Sequence, residues 1–544
     1  MAYHILTTLF APLYFYIIGN VIYKSDKNKF THIIEKCIDG CIIISLVAVM
    51  LNFVISLNQS NTSIIFILFL AIFLIKKENY VNFKLRNLSF LLFLGLIISL
   101  FLLGSKVYTP DAQLYHLPFI RIINEEKIII GLSNLHSRFG HISILQYLSA
   151  VSNNHFFGVQ GINISIATFS VLIIAFFFTE FFETKNKIAK FFLLSIIIYI
   201  SWKINRFSEY GNDAPAHLLT FYLVYKIINL KHELEFEKLA FYIFFIFMIK
   251  PTLIISFLLF IIYFFNKKFE QIINYKTIIF STFLIIWLVK NLLISGCFLY
   301  PSENTCINSL EWTNAQQTKL VNIESDAWSK GWIDQKNEKL DYQSYIKNFN
   351  WIETWSKVHL LHVLKDLLPY VIILFFLLLI IRNKSKEYDN FTDIKVDQYY
   401  YYLFIIYLCG SFLWFLKFPL YRYGYSSLII LLVTITIIIN FKEINAFKKE
   451  IIYKFIIILC FFAIFSKQSF RITKKIFFQN KDLNYPQVVK FSSAKIDKFH
   501  INGTDIFYKS DGECGYDYTF CTPYNLEKKL TIKRIGSYKI FISN

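Results

Sequence analysis

Charge-free apolar runs recur along this chain and constrain its fold more than any other feature. "SIIFILFLAIFLI" and "YVIILFFLLLII" carry no charged side chain, and 56% of the 544 residues are hydrophobic. A bilayer core is crossed by about twenty apolar residues at 1.5 Å rise. The runs approach that length repeatedly, which predicts an all-α polytopic integral membrane protein. Roughly fourteen spans are expected, near residues 5–23, 33–57, 61–75, 88–104, 157–180, 188–203, 213–230, 237–249, 252–266, 275–294, 364–381, 398–416, 424–440 and 452–466. The first is long and shows neither a basic leader nor a small-residue cleavage site, so it is expected to stay as a helix. The eighth and ninth are split at Lys250 and Pro251. A Lys at the bilayer centre costs roughly 2.5–3.5 kcal/mol, and Pro breaks a helix.

Lys and Arg bias sets the orientation. The short loops "YKSDKNK", "KKENYVNFKLRN", "ETKNK", "NKKFEQ", "IRNKSKEYDN" and "FKEINAFKKE" are basic and fall on one side, the expected cytoplasm. The net charge of +19 is therefore largely a topology signal with some contact to anionic membrane lipids, and needs no nucleic acid. The chain then divides into N-terminal helices (1–104), a large outer loop (105–156), helices (157–294), a second outer loop (295–363), C-terminal helices (364–466) and an outer module (467–544). The last reads as short strands with Gly turns. The expected location is a bacterial inner membrane, with the outer loops facing the periplasm.

Cys37, Cys41, Cys409 and Cys460 lie inside apolar segments, where a thiol is a small hydrophobe. Cys297 and Cys306 share the second large outer loop, and Cys514 and Cys521 share the tail ("CGYDYTFC"). Two local disulfides in an oxidising compartment are expected. Metal ligation is the rival, but these spacings without nearby His do not fit the usual zinc patterns.

The polar residues concentrate outside. In "SKVYTPDAQLYHLPFIRIINEEK", Thr109 and Pro110 look like a helix start, which makes Asp111 a first-turn residue beside Tyr115 and His116. His136, Arg138 and His141 follow in the same loop. Leu117, Ile120, Ile123 and Ile128 to Ile130 suggest helices lying along the membrane surface. A lone Asp there would only complement the helix dipole, worth roughly 0.3–1 kcal/mol. Asp213, in "NRFSEYGNDAPAHLL", repeats the arrangement at another helix mouth, with Asn212 and His217 beside it. Two outer carboxylates over a bilayer suit a reaction on a lipid-linked substrate, one as base and one positioning a hydroxyl or ammonium.

The string "DAQLYHLPFIRIINEEKIIIGLSNLHSRFG", with "KPTLIISFLL", "WLVKNLLISGCFLYP", "LEWT", "FPLYRYGYSSL" and "CGYDYTFCTPY" in that order, resembles a largely uncharacterised bacterial family within the GT-C superfamily of membrane glycosyltransferases. The resemblance runs from about residue 85 to the end. It departs at "PLYRYG", where an Asp or a second Pro tends to precede the Arg. It implies a GT-C-like fold and an enzyme that moves a sugar from a polyprenyl-phosphate donor to a cell-envelope glycan or lipid-linked acceptor. Asp111 then suits the catalytic base. Arg422, Arg138, Lys250 and Lys290 are the cations available for the departing phosphate, with Arg422 first because its planar fork matches phosphate.

No Asp-x-Asp pair, P-loop, Rossmann glycine fingerprint or His-Glu-x-x-His is present, which disfavours cytosolic nucleotide donors and ATP-driven transport. No cofactor is required, although Asp111 and Asp213 with water could hold Mg or Mn. The competing classes are a transporter or lipid-linked oligosaccharide flippase, with ionisable groups at mid-membrane, a structural subunit, and an O-antigen-type polymerase or ligase.

Overall fold

Pro12 cuts the first apolar run in two, because it brings no N–H to the helix ladder. The run forms the helices Ala2–Leu9 and Ala11–Asn20, with Pro12 in the first turn of the second. The computed structural model describes residues 2–21, 29–76, 83–103, 111–203, 211–230, 234–264, 274–332, 341–385, 395–478 and 496–544. Thr109 and Pro110 lie outside them.

The protein is mostly helical. Seven segments are long and apolar enough to cross a membrane: Ala2–Asn20, Leu85–Leu102, Gly158–Glu183, Tyr275–Ser295, Ile352–Lys384, Gln398–Lys417 and Tyr421–Ile439. Several other expected spans are helices that are shorter or carry charge. Lys187–Lys203 has 17 residues and Phe236–Ile249 has 14, and Phe30–Leu51 contains Glu35, Lys36 and Asp39. The helix Gly161–Glu183 is sheathed by its neighbours along most of its length. At the periphery, Leu361–Ser385 turns Leu364, Leu368, Phe375 and Phe376 outward, each more than two-fifths exposed. A continuous apolar exterior of this kind needs lipid rather than water around it.

Two close helix approaches depend on missing side chains. A Cβ on Gly19 would meet Lys36 O at 1.8 Å, and one on Gly40 would meet Phe15 O at 1.9 Å. The helices Ala11–Asn20 and Phe30–Leu51 therefore touch backbone to backbone, as small residues allow between membrane helices.

The chain breaks at Lys250 as expected. Phe236–Ile249 ends there, Lys250 is extended, and a 3-10 segment from Pro251 to Leu258 leads into Leu259–Phe264.

The segment 111–156 departs from expectation. The helix Leu117–Glu125 does not rest its apolar face on lipid, because Leu117, Ile120 and Ile123 are buried within the protein. Asn124 Nδ2 donates to Leu57 O and to Ala150 O at 2.9 Å for the second, and Leu57 N donates to Ile123 O at 2.9 Å. The neighbouring helix Ile144–Ser152 is buried throughout and starts with a Ser143–Gln146 capping box. Protein packing thus claims a face worth about 1.5–3 kcal/mol per fully buried aliphatic side chain.

The tail is a small sheet module. Strands β1 (Ile496–Ile501) and β2 (Thr504–Lys509) form an antiparallel hairpin whose two-residue turn, Asn502–Gly503, has both φ angles positive, the geometry that Asn-Gly favours. β3 (Cys521–Thr522) pairs parallel to β2, while β4 (Leu530–Ile535) and β5 (Tyr538–Ser543) form a second hairpin. Disulfides join Cys297 to Cys306 and Cys514 to Cys521.

The module docks on the segment 111–156. Ile130 N donates to Lys539 O at 3.0 Å, Phe541 N donates to Ile130 O at 2.9 Å, and Thr522 Oγ1 donates to Leu135 O at 2.8 Å. Gly515, at φ +59°, donates its N–H to Gln113 O at 2.9 Å. A Cβ there would sit 2.7 Å from the Gln113 side-chain oxygen.

Candidate active site

Asp111 opens a short π-helical turn, Ala112–His116, that runs into Leu117–Glu125. Such turns are rare and concentrate at functional sites. Asp111 already has helical dihedrals, and its carboxylate makes no capping hydrogen bond. Its ion-pair partner comes from a distant part of the chain.

That partner is Arg422, on the first turn of Tyr421–Ile439. Its Nη1 lies 3.5 Å from Asp111 Oδ2 and its Nε lies 3.9 Å from Asp213 Oδ2. Asp213 begins the helix Asp213–Leu230, and its other oxygen pairs with Lys250 Nζ. Four charged groups from four distant segments thus meet in an Asp111–Arg422–Asp213–Lys250 chain of zero net charge.

The two ends of this chain differ. The Lys250 side chain is 9% exposed, whereas Asp111 and Arg422 are each 44% exposed. A buried ammonium needs its counter-charge, so the Lys250–Asp213 pair is structural in energetic terms. A half-exposed pair such as Asp111–Arg422 is worth about 0–1 kcal/mol, too little to explain its existence by stability. Its 3.5 Å separation is also at the edge of hydrogen bonding, so a ligand oxygen can compete for the guanidinium cheaply.

Arg422 is held by its surroundings. Its Nη2 donates to Tyr423 Oη at 3.0 Å, and its guanidinium lies 5.0 Å from the Tyr423 ring and 5.5 Å from the Trp328 ring. Lys250 Nζ sits 4.0 Å from the Tyr423 ring. His217 Nε2–H donates to Arg422 O at 3.1 Å, which leaves Nδ1 to accept from Ser426 Oγ–H at 2.6 Å.

Tyr115 and His116 stand beside Asp111 with ring centroids 4.2 Å apart. Burial, helped by the Asp111 charge, pushes the Tyr115 phenol up, so it stays protonated. Burial pulls His116 down to about 4, and its Nδ1 lies 3.3 Å from Gln146 Nε2. His116 is neutral at ordinary pH.

Residues 1–429 match the family described as Domain of unknown function (DUF8201). The chain belongs to this family. Neither a curated protein nor a solved structure matches it. The DUF8201 match contains the whole charged chain from Asp111 to Arg422 and ends before the tail module.

Of the residues expected at the site from the sequence, Asp111, Asp213, Tyr115, His116, Lys250 and Arg422 converge. Arg138 is exposed on the same loop, within electrostatic reach of the Tyr115 hydroxyl, and it pulls the buried His136 and His141 down further. Lys290 does not join them. It is fully buried, donating to Val49 O at 2.8 Å and facing the Phe53 and Tyr147 rings at 4.5 Å each. Its amine is fully enclosed, so it does not serve as a cation for a ligand at the Asp111–Arg422 pair. Among the described residues no three His, Cys, Asp or Glu side chains converge as a metal site. Arg422 itself bridges the two carboxylates that a metal would need.

Sequence reading missed Tyr423 and Trp328. Tyr423 had a signal, since it adjoins the Arg422 it orients. Trp328 had none, because it arrives from the second outer loop.

Proposed function

We propose that this protein is a GT-C-type membrane glycosyltransferase that moves a sugar from a polyprenyl-phosphate donor to a glycan or lipid-linked acceptor on the outer face of a bacterial inner membrane. The observation that carries this reading is the exposed Asp111–Arg422 pair. It sets a carboxylate that makes no cap beside a cation held in place by Tyr423 and His217.

In the proposed reaction the acceptor oxygen attacks the anomeric carbon while the bond from that carbon to the phosphate oxygen breaks. The bonding electrons leave with the phosphate, and the acceptor proton passes to Asp111. Arg422 stabilises the charge growing on the phosphate, and Asp213 with Lys250 fixes Arg422 from below. Asp213 is thus assigned to positioning, and Asp111 to the base. A carboxylate is a weak base near pH 7, so its help comes as the proton leaves in the transition state, where it is worth typically about 10² to 10⁴-fold.

The outward orientation rests on the positive-inside pattern and on the two disulfides, which suit an oxidising compartment. The fourteen-span topology belongs to the same proposal. Incubating membranes containing the protein with polyprenyl-phosphate sugars tests the reading: sugar transfer to endogenous acceptor is expected, and no transfer from any donor sugar contradicts it.

One observation favours a transporter or lipid-linked oligosaccharide flippase instead. Glu35 and Lys226 pair inside the helical bundle, where Tyr242 Oη also donates to Asp39 at 2.7 Å. Ionisable groups at membrane depth commonly mark a pathway. Lipid-linked glycan crossing proteoliposomes without any sugar transfer would establish that alternative.

A further inference from the structure

The second outer loop carries more aromatic side chains than its own packing uses. Trp351 and Trp355 are buried in a small core with Tyr345 and Val363, at 1% and 7% exposure. That core is pinned to the turn before Arg422. Trp355 Nε1 donates to Pro419 O at 2.8 Å, and Ser329 Oγ donates to Lys417 O at 3.3 Å. Tyr345 Oη donates to Lys330 O at 3.0 Å, and Lys330 in turn pairs with Asp326 at 2.7 Å.

Trp328 lies between these anchors on the helix Ala315–Ser329. Its neighbours Ala327, Ser329 and Lys330 are buried, but Trp328 itself is 40% exposed. The ring is therefore held by a rigid backbone and still presented outward, 5.5 Å from the Arg422 guanidinium.

A half-exposed indole beside a half-exposed cation leaves apolar ring surface that a ligand can cover. Cation–π contact with Arg422 gives about 0.5–1 kcal/mol at an exposed site and uses only part of the ring. The C–H face of a pyranose is apolar while its edge is lined with hydroxyls. An aromatic face beside Arg422, whose guanidinium in turn lies 3.5 Å from Asp111, matches both features of such a ring.

We propose that Trp328 is the stacking platform for the donor's sugar ring, a specificity-determining contact for a pyranose placed between the phosphate at Arg422 and the acceptor at Asp111. This rests on the glycosyltransferase reading and adds to it the group that senses the sugar rather than the lipid phosphate.

The test compares binding of undecaprenyl phosphate with that of undecaprenyl phosphate bearing a hexose, in detergent, for wild type, Trp328→Ala and Trp328→Phe of equal thermal stability. Wild type should prefer the hexosyl lipid. Trp328→Ala should lose that preference by about tenfold with the plain lipid unaffected, and Trp328→Phe should keep most of it. Equal weakening of both lipids reduces Trp328 to a support for Arg422 and overturns the inference, as does no change in either. A wild type that prefers the plain lipid or shows no preference also overturns it. Wild type that binds neither lipid overturns the glycosyltransferase reading, and this inference with it.

Discussion

Arg422 Nη1 lies 3.5 Å from Asp111 Oδ2 although the two residues lie far apart in sequence within the DUF8201 match. The pair is half exposed on both sides, while the Lys250–Asp213 pair beneath it is largely enclosed. This gradient, from an enclosed pair to an open one, separates structural charge from charge available to a ligand.

The enclosed end predicts a stability phenotype. Lys250→Met leaves Asp213 with Arg422 as its remaining ion-pair partner among the described residues. The expected loss is roughly 3 kcal/mol, at the low end for breaking a buried pair, because Arg422 still offers partial compensation. Thermal unfolding in detergent checks this, and Lys250→Met combined with Asp213→Asn should recover part of the loss.

The buried histidines of the segment 111–156 predict an acid-sensitive fold. Burial first, and then nearby Arg138 for the latter two, holds His116 at about 4 and His136 and His141 at about 3, below the ordinary 6.5. Asp111 and Asp213 oppose the shift at His116, and Arg422 adds to it. The unfolded chain takes up these protons near pH 6.5 and the folded chain does not. Stability is therefore complete above pH 6.5 and falls as pH drops towards 4. Each histidine removes up to about 1.4 kcal/mol per pH unit in that window. Unfolding midpoints at pH 7 and 4.5 should show the decline, and His141→Phe should make it shallower.

The tail predicts a redox phenotype. The Cys514–Cys521 loop holds Gly515 against Gln113, two residues from Asp111. Thiol reagents should label Cys514 and Cys521 only after reductant is added. Ready labelling of the untreated protein would remove the support for an oxidising compartment.

The orientation predicts a reporter pattern. A fusion after Asn544 should read as external and one after Lys76 as cytoplasmic. A cytoplasmic carboxyl terminus reverses every loop assignment and places Asp111 on the wrong face for a periplasmic donor.

Much of the site was legible because its charged members occupy helix mouths or breaks in otherwise apolar sequence. Asp213 precedes Pro215, Lys250 precedes Pro251, and Asp111 follows a Thr–Pro pair that lies outside the described residues. Charge in such places is costly enough to stand out. The burial of Leu117–Glu125 was not legible, since an amphipathic face reads alike whether lipid or protein covers it. The docking of the tail through Gly515 N–H was also invisible, as a backbone donor leaves no trace in residue identity. Trp328 required the fold of a second loop to bring it to Arg422.

Sugar transfer and donor-lipid binding, measured side by side for Asp111→Asn and Arg422→Ala, separate a base at Asp111 from a phosphate-holding cation at Arg422. Asp111→Asn should insert normally, bind the polyprenyl-phosphate sugar as wild type does, and lose about 10² to 10⁴-fold in transfer rate, whereas Arg422→Ala should lose donor binding itself. Near-normal turnover by a normally expressed Asp111→Asn protein would contradict the account and leave Asp213 as the candidate base.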